Sequence, residues 1–190
     1  MEIINTLQKN ENLSLALGFF DGIHKGHKKV IETAVEYAKD NNLKSAVMSF
    51  REHPTCILRK RTPEYILSME DKIKKLEALG VDYLYLLNFD EKMSNMTKED
   101  YFEFLKDIAK PKAIVTGFNH YFGKNREGNT EFLAEECKKN HIRYEKIEAI
   151  KVKNNIVSSS NIRDAINCAN PELAYKMLGY HFFIKGEVIK

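Results

Sequence analysis

Residues 18–27 constrain the fold of this chain more than any other stretch, because they join an apolar run to an amphipathic helix. They read Gly18-Phe19-Phe20-Asp21-Gly22-Ile23-His24-Lys25-Gly26-His27. The apolar run before Asp21 is typical of a buried strand, and apolar positions recur at helical spacing after Gly26. A strand, a glycine turn and a helix N-terminus form an anion site, since free amides and the helix dipole attract phosphate. Imidazoles at that place add donors for phosphoryl oxygens, so the stretch predicts a nucleotide site.

Strands and helices alternate along most of the sequence. The pattern predicts strands at 13–20, 45–50, 81–87, 113–116 and within 142–150, and helices at 26–39, 68–79, 97–110, 127–140, 160–168 and 171–178. This alternation indicates the α/β class, with a Rossmann-like parallel sheet flanked by helices. Segment 51–62 shows no period and is predicted to be a loop. Ligands of such sheets bind beyond the carboxyl ends of the strands, where turns 18–27, 117–128 and 157–163 are expected to converge.

Composition narrows the class of partner. A net charge of +3 over 190 residues, with basic residues in short scattered clusters, suits small anionic ligands and not nucleic acid. No apolar run reaches the length of about 18 residues that a membrane span needs, so no membrane partner is expected. Three cysteines without a CxxC pair predict a reducing, cytoplasmic location. The oligomeric state stays open.

Hydroxyl groups cluster before a second helix, in Val157-Ser158-Ser159-Ser160-Asn161-Ile162-Arg163. Consecutive serines at a helix start cap the helix, bind phosphate, or do both. The guanidinium of Arg163, one turn into the helix, can bind phosphate oxygens in a fork. The alternative is an N-cap followed by a solvent-exposed arginine, and the segment alone does not decide between the two.

Two further segments carry aromatic side chains. The loop at 117–128 combines glycines with Phe118, Tyr121, Phe122 and two cations, and it either stacks on a planar ring or forms a satellite hydrophobic cluster. The run Phe50-Arg51-Glu52-His53-Pro54 directly follows a strand and either walls a pocket or anchors a loop. A zinc site at the two histidines lacks further ligands apart from Asp21.

Read together, these stretches resemble the FMN adenylyltransferase module of bacterial FAD synthetases, in the HxGH nucleotidylyltransferase superfamily. Four family motifs occur in family order: G-x-F-D-G-x-H-x-G-H at 18–27, F-x-P-H-P at 50–54, G-x-D/N-aromatic-x-F-G at 117–123, and S-S-T-x-I/V-R at 158–163. The resemblance covers residues 13–180. Three positions depart from the pattern: Glu52 replaces a proline, Ser160 replaces a threonine, and Ile156 stands where many members have a basic residue.

The resemblance implies that the chain transfers the adenylyl group of ATP to FMN, giving FAD and pyrophosphate, with Mg²⁺ and with the HxGH type of fold. The implied catalytic residues are His24, His27, Ser159, Ser160 and Arg163. The implied ATP-binding residues are Gly18, Phe19, Asp21, Gly22 and Asn119. The implied FMN-binding residues are Phe50, Pro54, Asn119, Phe122 and Arg126. The metal ligands are not indicated.

The resemblance also implies a domain boundary and two rival functions. Residues 1–180 correspond to the adenylyltransferase domain, and residues 181–190 resemble the first strand of a riboflavin kinase domain that is otherwise absent. Phosphorylation of riboflavin is therefore not expected from these residues. The rivals are a sister nucleotidylyltransferase with another phosphate acceptor and a non-catalytic flavin or nucleotide-binding module, the latter favoured by Glu52 and Ile156.

Overall fold

Six parallel strands form the central sheet of the protein. The computed structural model describes residues 1–5 and 12–187. The strands of the sheet are β1 (Glu2–Ile4), β2 (Leu13–Leu17), β3 (Lys44–Phe50), β4 (Tyr83–Leu87), β5 (Ala113–Gly117) and β6 (Arg143–Ile147). Their order is β1-β4-β3-β2-β5-β6. Strand β2 is central, and its Leu15 lies opposite Ala46 on one side and Ile114 on the other.

Within the described residues, eight α-helices connect or follow these strands. They are α1 (Lys25–Asp40), α2 (Thr55–Leu58), α3 (Met69–Ala78), α4 (Glu91–Ser94), α5 (Lys98–Ala109), α6 (Thr130–Lys139), α7 (Ser159–Asn167) and α8 (Pro171–Leu178). Asn and Ser side chains begin several of them; Ser68 caps α3 and Asn129 caps α6. A short antiparallel hairpin of β7 (Lys151–Val152) and β8 (Asn155–Ile156) precedes α7.

The core lies in two layers, one on each face of the sheet. Alternate residues of β2 point to opposite faces, so Leu15 packs with residues of α5 and α6 while Ala16 packs with residues of α1 and α3. A third, smaller cluster joins α7 and α8 through Ile162 and Met177. The predicted Rossmann-like parallel sheet flanked by helices is therefore confirmed. None of the helices in the described residues is long and apolar enough to cross a bilayer.

Several predicted boundaries were wrong for identifiable reasons. The strand predicted to reach Phe20 ends at Leu17, because Phe20 adopts a left-handed φ of 58° and already belongs to the turn. The predicted loop 51–62 contains the single helical turn α2. The helix predicted from residue 127 begins at Thr130, where Asn129 accepts the first amide. Residues 181–187 of the predicted strand-like tail form no strand, and 188–190 lie outside the described residues.

Candidate active site

The turn after β2 presents backbone amides at the carboxyl end of the central strand. Left-handed φ angles occur at Phe20 (58°), Gly22 (82°) and Ile23 (33°), and such alternation makes a concave group of N–H donors that suits an anion. A Cβ at Gly22 would lie 3.1 Å from the Ile66 side chain, so both the φ angle and the packing require glycine there. Within the described residues, the amides of 19–22 have no hydrogen-bond acceptor.

Side chains from distant parts of the sequence hold the carbonyl groups of this turn. Ser49 Oγ and Lys72 Nζ donate to the carbonyl of Phe19 at 3.0 and 2.8 Å. Ser159 Oγ donates to the carbonyl of Asp21 at 2.9 Å. With these carbonyl groups satisfied by the protein, the amides of the same turn are left to bind a ligand.

His24 and His27 lie together at the start of α1. Nδ1 of His24 accepts the backbone amide of His27 at 3.2 Å, which caps the helix and places the ring proton on Nε2. The two rings are stacked with centroids 3.6 Å apart. Burial lowers the pKa of His24 to about 4, and burial followed by the charge on His24 lowers the pKa of His27. Both imidazoles are therefore neutral at pH 7 and act as N–H donors, not as cations.

Acidification will destabilise the protein through His24. The pKa of His24 is about 4 in the folded chain and has its ordinary value of 6.5 in the unfolded chain, so between these pH values only the unfolded chain binds the proton. The contribution to stability is complete above pH 6.5 and falls by about 1.4 kcal/mol per pH unit toward pH 4. Urea unfolding will be measured at about pH 7 and about pH 5. Between these pH values, the free energy of unfolding will fall less for His24→Asn than for the unsubstituted chain. Equal losses in both proteins would contradict this prediction.

Arg163 and Asp21 form an ion pair in the wall of the same cavity. Nη2 of Arg163 lies 2.8 Å from Oδ2 of Asp21, and Nε donates to the carbonyl of Glu64 at 2.7 Å. The other carboxylate oxygen of Asp21 accepts the amide of Ile66 at 3.0 Å. Asp21 was predicted to line an ATP site, but its carboxylate is fully engaged by the protein. Its contacts fix the guanidinium and the segment that follows Glu64.

The neighbouring serines at the start of α7 make different contacts. Ser158 is the N-cap of α7 and accepts the amide of Asn161 at 3.2 Å. Ser159 is bound to the turn after β2, and Ser160 is exposed. The segment was expected to follow a strand of the sheet, but it follows the separate hairpin β7–β8, which still delivers it to the cavity.

Aromatic residues border the other half of the cavity. Phe50 packs edge-on against Phe89 at 5.2 Å. Phe122 is buried and lines the cavity, with its ring centroid 4.8 Å from that of Tyr101. The guanidinium of Arg126 lies 4.5 Å above the exposed ring of Tyr121. This half therefore offers aromatic surfaces together with the cations Arg59, Lys124 and Arg126.

A single cavity of about 880 Å³ joins these two halves. All but one of the residues singled out from the sequence line it; Gly22 does not, because its Cα faces Ile66. The lining predicted residues are Gly18, Phe19, Asp21, His24, His27, Phe50, Pro54, Asn119, Phe122, Arg126, Ser159, Ser160 and Arg163. The two departures Glu52 and Ile156 do not line it.

The sequence reasoning missed two residues at this site. Lys72 is 2% exposed, its Nζ lies 4.0 Å above the Phe19 ring, and burial lowers its pKa to about 8. The available signal in the sequence was the position of Lys72 directly before Ile73, an apolar residue of α3. His120 lines the cavity with a buried, unpartnered Nε2, and burial lowers its pKa to about 4. The sequence analysis assigned His120 no role.

Comparison with known proteins assigns the chain to a family. A family model described as FAD synthetase matches residues 6–161. The chain belongs to the FAD synthetase family. A bifunctional riboflavin kinase/FMN adenylyltransferase from Listeria monocytogenes is 33% identical over 94% of this chain. This chain spans 57% of that relative's length.

Two further family comparisons agree with this assignment. A protein named FAD synthetase from Listeria monocytogenes is 29% identical, covering 92% of this chain and 71% of the relative. The crystal structure of a Streptococcus pneumoniae protein titled a macrolide-efflux protein has a TM-score of 0.80 and 29% identity, covering 96% of this chain and 61% of that one. This solved structure therefore shares the fold over nearly the whole of this chain.

Proposed function

We propose that this chain transfers the adenylyl group of ATP to FMN, giving FAD and pyrophosphate. The observation that carries the proposal is the single cavity, which joins a phosphate-binding turn with two imidazoles to an aromatic-bordered half. Its volume of about 880 Å³ is at the upper end of the range for small-molecule sites, as two bound substrates require. The names of the family relatives support the same reaction.

The reaction needs positioning more than a base. An oxygen of the FMN phosphate, already negatively charged, attacks the α-phosphorus of ATP. The new P–O bond forms as the bond to the β-phosphate oxygen breaks, and pyrophosphate leaves with its electron pair. Catalysis then rests on aligning two polyanions and on stabilising charge at the equatorial oxygens.

The residues of the cavity divide these tasks. The amides of the turn and the neutral rings of His24 and His27 donate to α- and β-phosphate oxygens. Arg163 and the exposed Ser160 face the departing pyrophosphate, with Arg163 anchored by Asp21. We assign Asn119, which lines the same cavity, to contact both substrates, and the aromatic half with Phe50, Pro54, Phe122 and Arg126 to receive the flavin.

Magnesium enters this scheme with the nucleotide. Mg²⁺ is commonly held by one or two carboxylates together with substrate phosphates. Within residues 1–5 and 12–187, no group of three or more His, Cys, Asp or Glu side chains is placed to bind a metal. The carboxylate of Asp21 is engaged by Arg163. We therefore treat Mg²⁺ as part of the Mg–ATP substrate.

The remaining expectations are kept as proposals. We assign the activity to residues 1–180, with a cytoplasmic location in keeping with the free Cys56, Cys137 and Cys168. The non-catalytic alternative was based on Glu52 and Ile156, and neither residue lines the cavity. A sister nucleotidylyltransferase with a smaller acceptor is disfavoured by the aromatic half.

Incubation with Mg–ATP and FMN will give FAD and pyrophosphate in equal amounts. Riboflavin in place of FMN will give no FAD, because riboflavin lacks the phosphate that attacks. Chromatography of flavins and a coupled pyrophosphate assay measure both. Other phosphate acceptors, such as phosphopantetheine and nicotinate mononucleotide, provide the controls. Tight FMN binding without pyrophosphate release would instead support a non-catalytic module.

A further inference from the structure

Tyr180 contacts the turn after β2 but does not line the cavity. Its hydroxyl donates to the carbonyl of Gly22 at 2.5 Å, although the two residues lie 158 positions apart. Gly179, with φ of 82°, ends α8 and turns the chain so that the tyrosine faces the turn. Nζ of Lys75 lies 3.5 Å above the tyrosine ring and fixes its plane.

The bonded carbonyl belongs to the peptide between Gly22 and Ile23. Gly22 has no Cβ to resist other φ and ψ values, and the following amide of Ile23 makes only a long bond of 3.3 Å to the Phe20 carbonyl. This peptide lies two residues before His24. A change in its orientation would therefore move the start of α1 and both imidazole rings.

We propose that Tyr180 is a positioning residue for ATP, because its hydroxyl locks the Gly22 peptide and thereby sets the two histidines and the turn amides. This inference rests on one part of the proposed function, the binding of the nucleotide phosphates by this turn. Tyr180 lines no part of the cavity, so it acts through the turn and not on the substrate.

The same contact joins nucleotide binding to the segment after α8. Lys185 forms an ion pair with Asp71 at the start of α3, and Phe182 packs against the cluster of α7 and α8. Helix α3 also carries Lys75 and Lys72, of which the second holds the Phe19 carbonyl. Residues 180–185 therefore connect α3 to the turn after β2. Displacement of this segment is expected to lower the affinity for ATP.

Tyr180→Phe tests this role with the smallest change, since it removes the hydroxyl and keeps the ring under Lys75. We expect the KM for ATP and the dissociation constant of α,β-methylene-ATP to rise about threefold to tenfold, as for loss of one hydrogen bond. The KM for FMN and the melting temperature will stay close to their starting values. Tyr175→Phe is the matched control, because Tyr175 is an exposed tyrosine of α8 that stacks on His181.

The possible results separate this inference from the proposed function. Unchanged binding of the ATP analogue by Tyr180→Phe would overturn the positioning role. An equal loss of ATP and FMN affinity together with a lower melting temperature would overturn it as well, because that is the behaviour of a general packing contact. Weaker analogue binding by the variant, in a protein whose unsubstituted form makes no FAD, would retain the positioning role and refute the adenylyl transfer. Lys185→Met, which releases the segment without touching Tyr180, will weaken analogue binding in the same direction.

Discussion

His24→Asn will lower the rate of FAD formation by about a hundredfold to a thousandfold, the usual effect of losing one donor to a developing charge. Asparagine is chosen because its side-chain oxygen is a good N-cap and can accept the His27 amide in place of Nδ1. The helix start is thereby retained, and the ring Nε2–H is what disappears. Single-turnover measurements with saturating Mg–ATP and FMN separate the chemical step from binding.

The matched control for this variant is His141→Asn. His141 is exposed, follows α6 and has a left-handed φ of 56°, which asparagine tolerates better than alanine does. We expect the control to retain full activity. If His24→Asn turned over FMN as fast as the control, the imidazole pair would have no part in the transfer.

Arg163→Met will destabilise the protein and abolish transfer together. It leaves the Asp21 carboxylate, 4% exposed as a side chain, without its cation. Removing one partner of a buried pair is strongly destabilising, and we expect about 3 kcal/mol, at the lower end of such effects, because the Arg163 side chain keeps 21% exposure. Urea unfolding measures the stability, and the pyrophosphate assay measures the activity at a concentration where the variant is folded.

Arg143→Met provides the comparison for this loss. Arg143 pairs with Glu145 at 3.2 Å, but both side chains are at least 40% exposed, so the change in stability will be below about 1 kcal/mol. Arg163→Lys keeps the positive charge while losing the fork, and it will recover more stability than activity. Equal free energies of unfolding for Arg163→Met and Arg143→Met would show that the ion pair with Asp21 contributes no more to stability than the exposed pair does.

The sequence predicted the sheet because its long strands are strongly apolar. The β2, β4 and β5 runs alternate with periodic helices, and these signals are local. It missed β1 and the hairpin β7–β8, whose strands have two or three residues each and gain their structure from pairing partners. Helix α4 was missed for the same reason, since one turn of four residues has no visible period.

The sequence predicted which turns form the candidate site but not which side chains contact one another there. Glycine, histidine and serine spacing singled out the loops whose residues line the cavity. The engagement of Asp21 by Arg163, and the roles of Lys72 and Tyr180, depend on pairs separated by 142, 53 and 158 positions. Such pairs are formed by the tertiary fold, and no local pattern in one sequence encodes them.

The position of β2 has a consequence for how this protein moves. All five of its residues are buried, and it is paired on both sides, so its amides will exchange with solvent only when the whole domain opens. The single turn α2 and the short helical turn Lys124–Arg126 bury no residue and can open locally. We therefore expect the wall of the cavity that carries α2 and Lys124–Arg126 to open at a lower free-energy cost than the wall formed at the end of β2.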